Sequence, residues 1–126
     1  RAKRIVESPD LDSLVICESQ SSKVAGFACF GKNREKNVDA DKELQAIYLL
    51  EEFQGFGAGR ALFEDGKRIL QQKSSRRMMV SVLETNKLAR SFYEKQGGKF
   101  IGSDHVDLGG NRYPTSTYLW QQMYCS

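Results

Sequence analysis

The 126 residues make one domain of ordinary size, long enough to bury a real core. A hydrophobic share of 40% and a charged share of 28% describe a globular chain rather than a disordered one. The net charge of +3 falls well short of a nucleic-acid binder's basic footprint, and no apolar run nears the ~18 residues of a membrane span, so both classes are excluded. Cys17, Cys29 and Cys125 are scattered without a CxxC spacing. That argues against a disulfide frame or a zinc site and makes a reduced, cytoplasmic setting the default. The opening Arg1-Ala2-Lys3 lacks a methionine and carries no signal-peptide pattern.

Residues 1–10 are basic and then broken by Pro9, and read as frayed chain. The apolar runs 13–18 and 24–30 flank a Ser19-Gln20-Ser21-Ser22 turn and predict a strand hairpin. Residues 31–42 are charged, with little apolar beyond Val38 and Ala40, and predict a loop long enough to be functional. A third strand spans 43–50. A helix over 57–72 puts Ala58, Ala61, Leu62 and Ile69 on one face. After a basic connector, 73–77, the run 78–83 is a buried strand. Strand, helix and strand in this order make a βαβ unit with a parallel pair. Asn86 then caps a short helix with Ala89, Phe92 and Tyr93 at i, i+3, i+4, which Gly97 stops. Strands over 99–107 and 115–121, with a Gly109-Gly110-Asn111 turn between them, close the sheet as a hairpin.

The chemistry concentrates in Gln54-Gly55-Phe56-Gly57-Ala58-Gly59-Arg60. A glycine-rich turn between a strand and a helix presents backbone N–H groups with no Cβ atoms in the way, a natural phosphate site. A dinucleotide fingerprint requires Gly-x-Gly-x-x-Gly with an acidic residue about 20 positions on; here the glycines fall as Gly-x-Gly-x-Gly, and Glu84 fits that place only approximately. A Walker loop requires Gly-Lys-Ser/Thr, which is absent.

Gln54 through Gly59 does satisfy Gln/Arg-x-x-Gly-x-Gly/Ala, and so resembles the acetyl-coenzyme A motif of the GNAT superfamily of N-acetyltransferases. The strand and turn 46–55, with Leu62 and Phe63 in the following helix, and the segment 86–95 followed by Gly97-Gly98, are similar to that family's motifs at the expected distance. The resemblance covers roughly residues 13–120 and implies a single α/β domain over 1–126. Its fold would be a mixed, mostly antiparallel sheet with a central parallel strand pair flanked by helices. Family members usually begin with a strand and one or two helices, which line the acceptor site; residues 1–12 leave no room for that unit, so it is expected to be absent.

The implied reaction is direct transfer of an acetyl group from acetyl coenzyme A to an amine of a small molecule or peptide, in a ternary complex and without a metal. By the same resemblance Tyr93 is the general acid for the leaving thiolate. Backbone groups of Tyr48, Leu49 and Leu50 would hold the pantetheine arm between splayed strands. N–H groups of Gln54, Gly55, Phe56, Gly57, Ala58, Gly59 and Arg60 would hold the pyrophosphate, with Asn86 and Lys95 as secondary contacts. Glu43, read as sharing a strand face with Gln45, Ile47 and Leu49, is the candidate base, ahead of His105, the only histidine. Against these roles stand plainer ones: a core aromatic for Tyr93, a solvated strand end for Glu43 and a helix-dipole charge for Lys95. The expected partner is the amine acceptor, with no nucleic acid or membrane, and a homodimer is compatible with the chain. The rival functions are a non-catalytic coenzyme A-binding or regulatory domain and a Rossmann-type nucleotide binder.

Overall fold

In the computed structural model of the chain, the described residues are 2–8, 13–20, 23–51, 57–72 and 76–121, with side chains described from Gly26 onward. The strands are β1 (Ala2–Ser8), β2 (Ser13–Gln20), β3 (Lys23–Lys32), β4 (Lys42–Leu49), β5 (Met78–Leu83), β6 (Lys99–Leu108) and β7 (Asn111–Trp120). The helices are α1 (Ala58–Gln72) between β4 and β5, and α2 (Lys87–Lys95) between β5 and β6. They form a seven-stranded sheet in the order β1-β2-β3-β4-β5-β7-β6, antiparallel everywhere except at β4–β5. The βαβ unit and its parallel pair therefore sit at the centre.

Residues 2–8 correct the reading of the N-terminal segment as frayed. They pair with β2 from Ala2↔Ser19 to Ser8↔Ser13. With Ile5 and Val6 as its only large aliphatic residues, the segment carries too weak a pattern to announce a strand, and the ladder offered by β2 supplies what the pattern lacks. Four residues separate β1 from β2.

Both helices pack on one face of the sheet. Leu62, Phe63 and Leu70 of α1 and Tyr93 of α2 join Ala28, Phe30, Leu44, Met78, Val80, Val82, Tyr118 and Trp120 in one buried cluster. Helix α1 lies close on β3 at Gly66, where an added Cβ would fall 2.2 Å from the Phe30 ring. Its one buried carboxylate, Asp65, pairs with Arg68 at 3.0 Å. Helix α2 is tied at both ends. Asn86 Oδ1 accepts the Ala89 N–H, a cap on the first turn. At the other end Gly97, with φ +91°, donates to Glu94 O, and Gly98 donates to Tyr93 O at 2.9 Å, the Schellman pair of bonds. Trp120 Nε1–H donates to Gln96 O at 3.0 Å, and Tyr118 Oη bridges Arg90 Nε and Glu94 on the helix.

The β6–β7 hairpin turns on Gly109 and Gly110, with φ +56° and +81°, the left-handed pair that a two-residue turn requires. Strand β7 consequently begins at Asn111, earlier than expected, and includes Pro114. Glu84 N–H donates to the Pro114 carbonyl; the proline has no N–H to return, and the Glu84 carbonyl accepts from Arg90 Nη1 instead.

Candidate active site

The parallel ladder between β4 and β5 is two residue pairs long, Lys42↔Met78 and Glu43↔Met79. Its closed end is stapled. Lys42 N–H donates to Arg77 O at 3.1 Å, and the Asp41 carboxylate accepts the N–H groups of Arg76 and Arg77. Past Glu43, β4 follows β3 out to Leu49 while β5 follows β7, so the two strands part. A β-bulge helps them diverge: Cys29 pairs with Ala46 but Phe30 with Leu44, which leaves Gln45 as the extra residue.

The bulge changes which residues share a face. Paired residues project to the same side, so Leu44, Ile47 and Leu49 face the helices with Phe30, Ala28 and Gly26. Glu43, across from Gly31, lies on the opposite face with Ala46 and Tyr48. The expected grouping of Glu43 with Ile47 and Leu49 is thereby corrected. Strict alternation fails where one extra residue resets the phase.

On the helix face the fork opens into a cleft of about 480 Å³, lined by Ile47 and Leu49 of β4, Gly57, Gly59 and Arg60 at the start of α1, and Leu88, Ala89, Phe92, Tyr93 and Gln96 along α2. Its walls are mostly apolar. Its end is the N-terminus of α1, where the first intrahelical bond is Ala61 N–H to Gly57 O at 3.0 Å. The N–H groups of Ala58, Gly59 and Arg60 precede that bond, and no acidic side chain occupies the first turn to compete for them. Gly57 sits at φ +80° with open space where a Cβ would stand.

Tyr93 lies in the wall of this cleft at 5% exposure, its ring packed on Phe92, Tyr118 and Trp120. Its hydroxyl has no hydrogen-bond partner among the described residues, and burial pushes the phenol pKa up to about 12. A buried hydroxyl left unpaired costs free energy, and a cleft wall is where a ligand atom can pair it.

The other expected residues are distributed as follows. Tyr48 points to the open face at 54% exposure and stacks on Phe27, so only its backbone borders the fork. Leu50 is half-buried and outside the cleft lining, and Ala58 is buried. Asn86 is engaged in capping α2, and Lys95 is exposed in that helix's last turn, one residue before the cleft-lining Gln96. Gln54, Gly55 and Phe56 lie outside the described residues.

Glu43 is not a solvated strand end. It is 7% exposed, and Arg34 holds both of its oxygens: Nη2 reaches Oε2 at 3.0 Å, while Nε and the Arg34 backbone N–H reach Oε1 at 3.1 and 3.0 Å. These hydrogen bonds in turn push the Arg34 pKa upward. Arg34 is carried on a loop shaped by Asn33, whose Nδ2 donates to the carbonyls of Glu35, Val38 and Ala40. His105, on the open face's far strand, has Nδ1 3.3 Å from Asp104 Oδ1. The cleft residues of α2 other than Tyr93, and the pairing of Glu43 with Arg34, had no sequence signal, although the i, i+3, i+4 pattern places Ala89 and Phe92 beside Tyr93.

The forked parallel pair, the apolar cleft and the helix N-terminus at its end together form one candidate site, and the relatives of the chain identify its family. The model of the acetyltransferase (GNAT) family matches residues 2–98. The chain is 37% identical over 117 residues to the uncharacterized N-acetyltransferase YuaI of Bacillus subtilis, covering 93% of this chain and 67% of that protein. It is 30% identical over 100 residues to an uncharacterized N-acetyltransferase of Lactobacillus delbrueckii subsp. lactis, covering 77% and 57%. Among solved structures, a Bacillus anthracis protein in complex with acetyl coenzyme A superposes with a TM-score of 0.78 at 17% identity, over 91% of this chain and 65% of that one. The ribosomal-protein-S18-alanine N-acetyltransferase of Escherichia coli gives 0.74 at 20%, over 91% and 72%. The chain belongs to the acetyltransferase (GNAT) family, and it spans between about half and two thirds of the length of these curated relatives.

Proposed function

We propose that the protein is an N-acetyltransferase that moves an acetyl group from acetyl coenzyme A directly to an amine. The observation that carries this reading is the Tyr93 hydroxyl, buried and unpaired among the described residues, in the wall of a cleft that ends on the α1 N-terminus. When bound, acetyl coenzyme A supplies the acetyl group as a thioester. The residues present fit it: the donors of Ala58, Gly59 and Arg60 suit a pyrophosphate, and the length of β4 that leaves β5 can take the pantetheine arm as an added strand.

In the reaction a C–N bond to the acceptor forms, the C–S bond breaks, and the amine loses a proton. Tyr93 Oη holds a proton throughout the physiological range and delivers it to the departing sulfur. Glu43 is the acceptor-side group assigned to receive the amine's proton, directly or through water. Arg34 places two hydrogen bonds on Oε1 and one on Oε2, which leaves a lone pair of Oε2 to face the acceptor. His105 is a second candidate for the same role, its Nδ1 lying 3.3 Å from Asp104 Oδ1.

Calorimetry with acetyl coenzyme A and with NAD, followed by thiol release over an amine panel, tests the reading. Binding of the thioester cofactor and amine-dependent thiol release are expected. Binding without release would make the domain a coenzyme A binder, and binding of NAD alone would overturn both.

A further inference from the structure

The open face of the sheet carries a second cavity, of about 410 Å³, at the size of a small-molecule site. It reaches the fork from the side opposite the cleft, with Glu43 and Gln45 of β4 and Ser81 and Leu83 of β5 in its wall. Two observations mark it as a ligand site. Thr115 and Thr117 of β7 line it at 5% and 7% exposure, and neither hydroxyl has a hydrogen-bond partner among the described residues. Its charge is also unbalanced. Of the acidic residues in the preceding loop, Asp39 and Asp41 are taken up by Arg77 and the Arg76–Arg77 backbone, and Glu43 by Arg34. That leaves Glu35, with no ion-pair partner among the described residues, and Asp104, which strand register sets beside Thr115. Asp104 has no lysine or arginine partner among the described residues; its nearest basic group there is the His105 imidazole, with Nδ1 at 3.3 Å. An acidic cavity on a chain of net charge +3 is a local choice of sign, not a consequence of composition.

We propose that this cavity selects an acceptor carrying a second positive charge, a small diamine, with Asp104 and Glu35 holding the cation and the Thr115 and Thr117 hydroxyls accepting its N–H groups. The reacting amine then lies toward Glu43 and the fork, and the second ammonium toward β6. The assignment of a reacting amine rests on the acetyl-transfer reading; the recognition of the second charge rests on the cavity.

The test separates the two. Calorimetry on the full chain compares 1,4-diaminobutane, butylamine and 4-aminobutanoate, which share a four-carbon chain and differ in the charge at one end. The diamine is expected to bind roughly three- to tenfold more tightly than butylamine, with 4-aminobutanoate weakest, the range for half-exposed charge pairs. Asp104→Asn and Glu35→Gln should each narrow the gap between diamine and monoamine, with melting temperatures checking that the variants fold. Equal binding of the three probes, tighter binding of 4-aminobutanoate, or a gap unchanged in both variants overturns the assignment. Thiol release from acetyl coenzyme A is then measured with the same three amines. Diamine preference in binding without any thiol release removes the transfer reaction and upholds the cavity. Thiol release without preference for the diamine does the reverse.

Discussion

At the scale of single residues, Tyr93 separates a catalytic reading from a packing one. If it were only a core aromatic, its hydroxyl would be expected to find a partner, yet none exists among the described residues. Tyr93→Phe should therefore leave the melting temperature unchanged or slightly higher, because an unpaired buried hydroxyl stabilises nothing, while kcat falls by roughly 10²-fold or more. A variant that loses stability and activity together would point to packing. The raised pKa makes a second prediction. The folded state holds the phenol proton to about pH 12, whereas the unfolded chain releases it near the ordinary tyrosine value of 10.0. Between those values the folded protein binds more protons, so stability is full below pH 10 and falls by roughly 2–3 kcal/mol as pH rises toward 12. Denaturant melts across that range should show the decline in the wild type and a shallower one in Tyr93→Phe. An identical slope in both would place the titrating group elsewhere.

At the scale of elements, three glycines of the α1 region do different work, and substitution can tell them apart. Gly66→Ala puts a methyl group 2.2 Å from the Phe30 ring and should destabilise the fold by about 1–3 kcal/mol through overpacking. Gly59→Ala has room, its nearest contacts being Phe92 at 3.8 Å and Leu49 at 3.9 Å, and gains helix propensity; stability should rise by up to about 1 kcal/mol. Both neighbours line the cleft, so its affinity for acetyl coenzyme A should fall nonetheless. Gly57→Ala forces an L-residue to φ +80° and should weaken both the turn and cofactor binding. Calorimetry beside thermal melts checks all three, and a Gly59→Ala protein that binds the cofactor as tightly as wild type would remove the helix N-terminus from the site.

Most elements were legible because their periodicity is strong. The apolar run Met78–Leu83 is strand β5 to the residue, and the i, i+3, i+4 set on α2 does turn inward. Strand β1 was not legible, since its pairing depends on β2 and not on its own pattern. The bulge at Gln45 was not legible either. It is a property of how two strands accommodate one another, and nothing in Leu44-Gln45-Ala46 announces it.

At the scale of the whole molecule, the fork divides the sheet's two faces into two kinds of site. The helix face offers an apolar cleft ending on backbone donors; the open face offers a polar, acidic cavity with two buried hydroxyls. The helix-face cleft was partly readable, from Gly57 and Gly59 at the start of α1 and from the α2 pattern. The open-face cavity was not, because it is assembled by register between β6 and β7 and by a loop that commits Arg34 to Glu43. In sequence the loop's charges nearly cancel; in space Arg34 is committed to Glu43, and Glu35 of the loop and Asp104 of β6 line the cavity with no lysine or arginine partner among the described residues. Because the proposed cofactor is polyanionic and the chain carries +3, its binding should weaken modestly as salt rises from about 50 to 500 mM, whereas a salt-independent affinity would argue against the phosphate assignment.

The most direct test of the central claim is steady-state thiol release from acetyl coenzyme A in the presence of an amine acceptor, with wild type and Tyr93→Phe compared side by side. Amine-dependent release by the wild type is expected, with a drop in kcat of roughly 10²-fold or more in the variant and cofactor affinity retained. Amine-dependent release that is equally fast without the Tyr93 hydroxyl would contradict the claim.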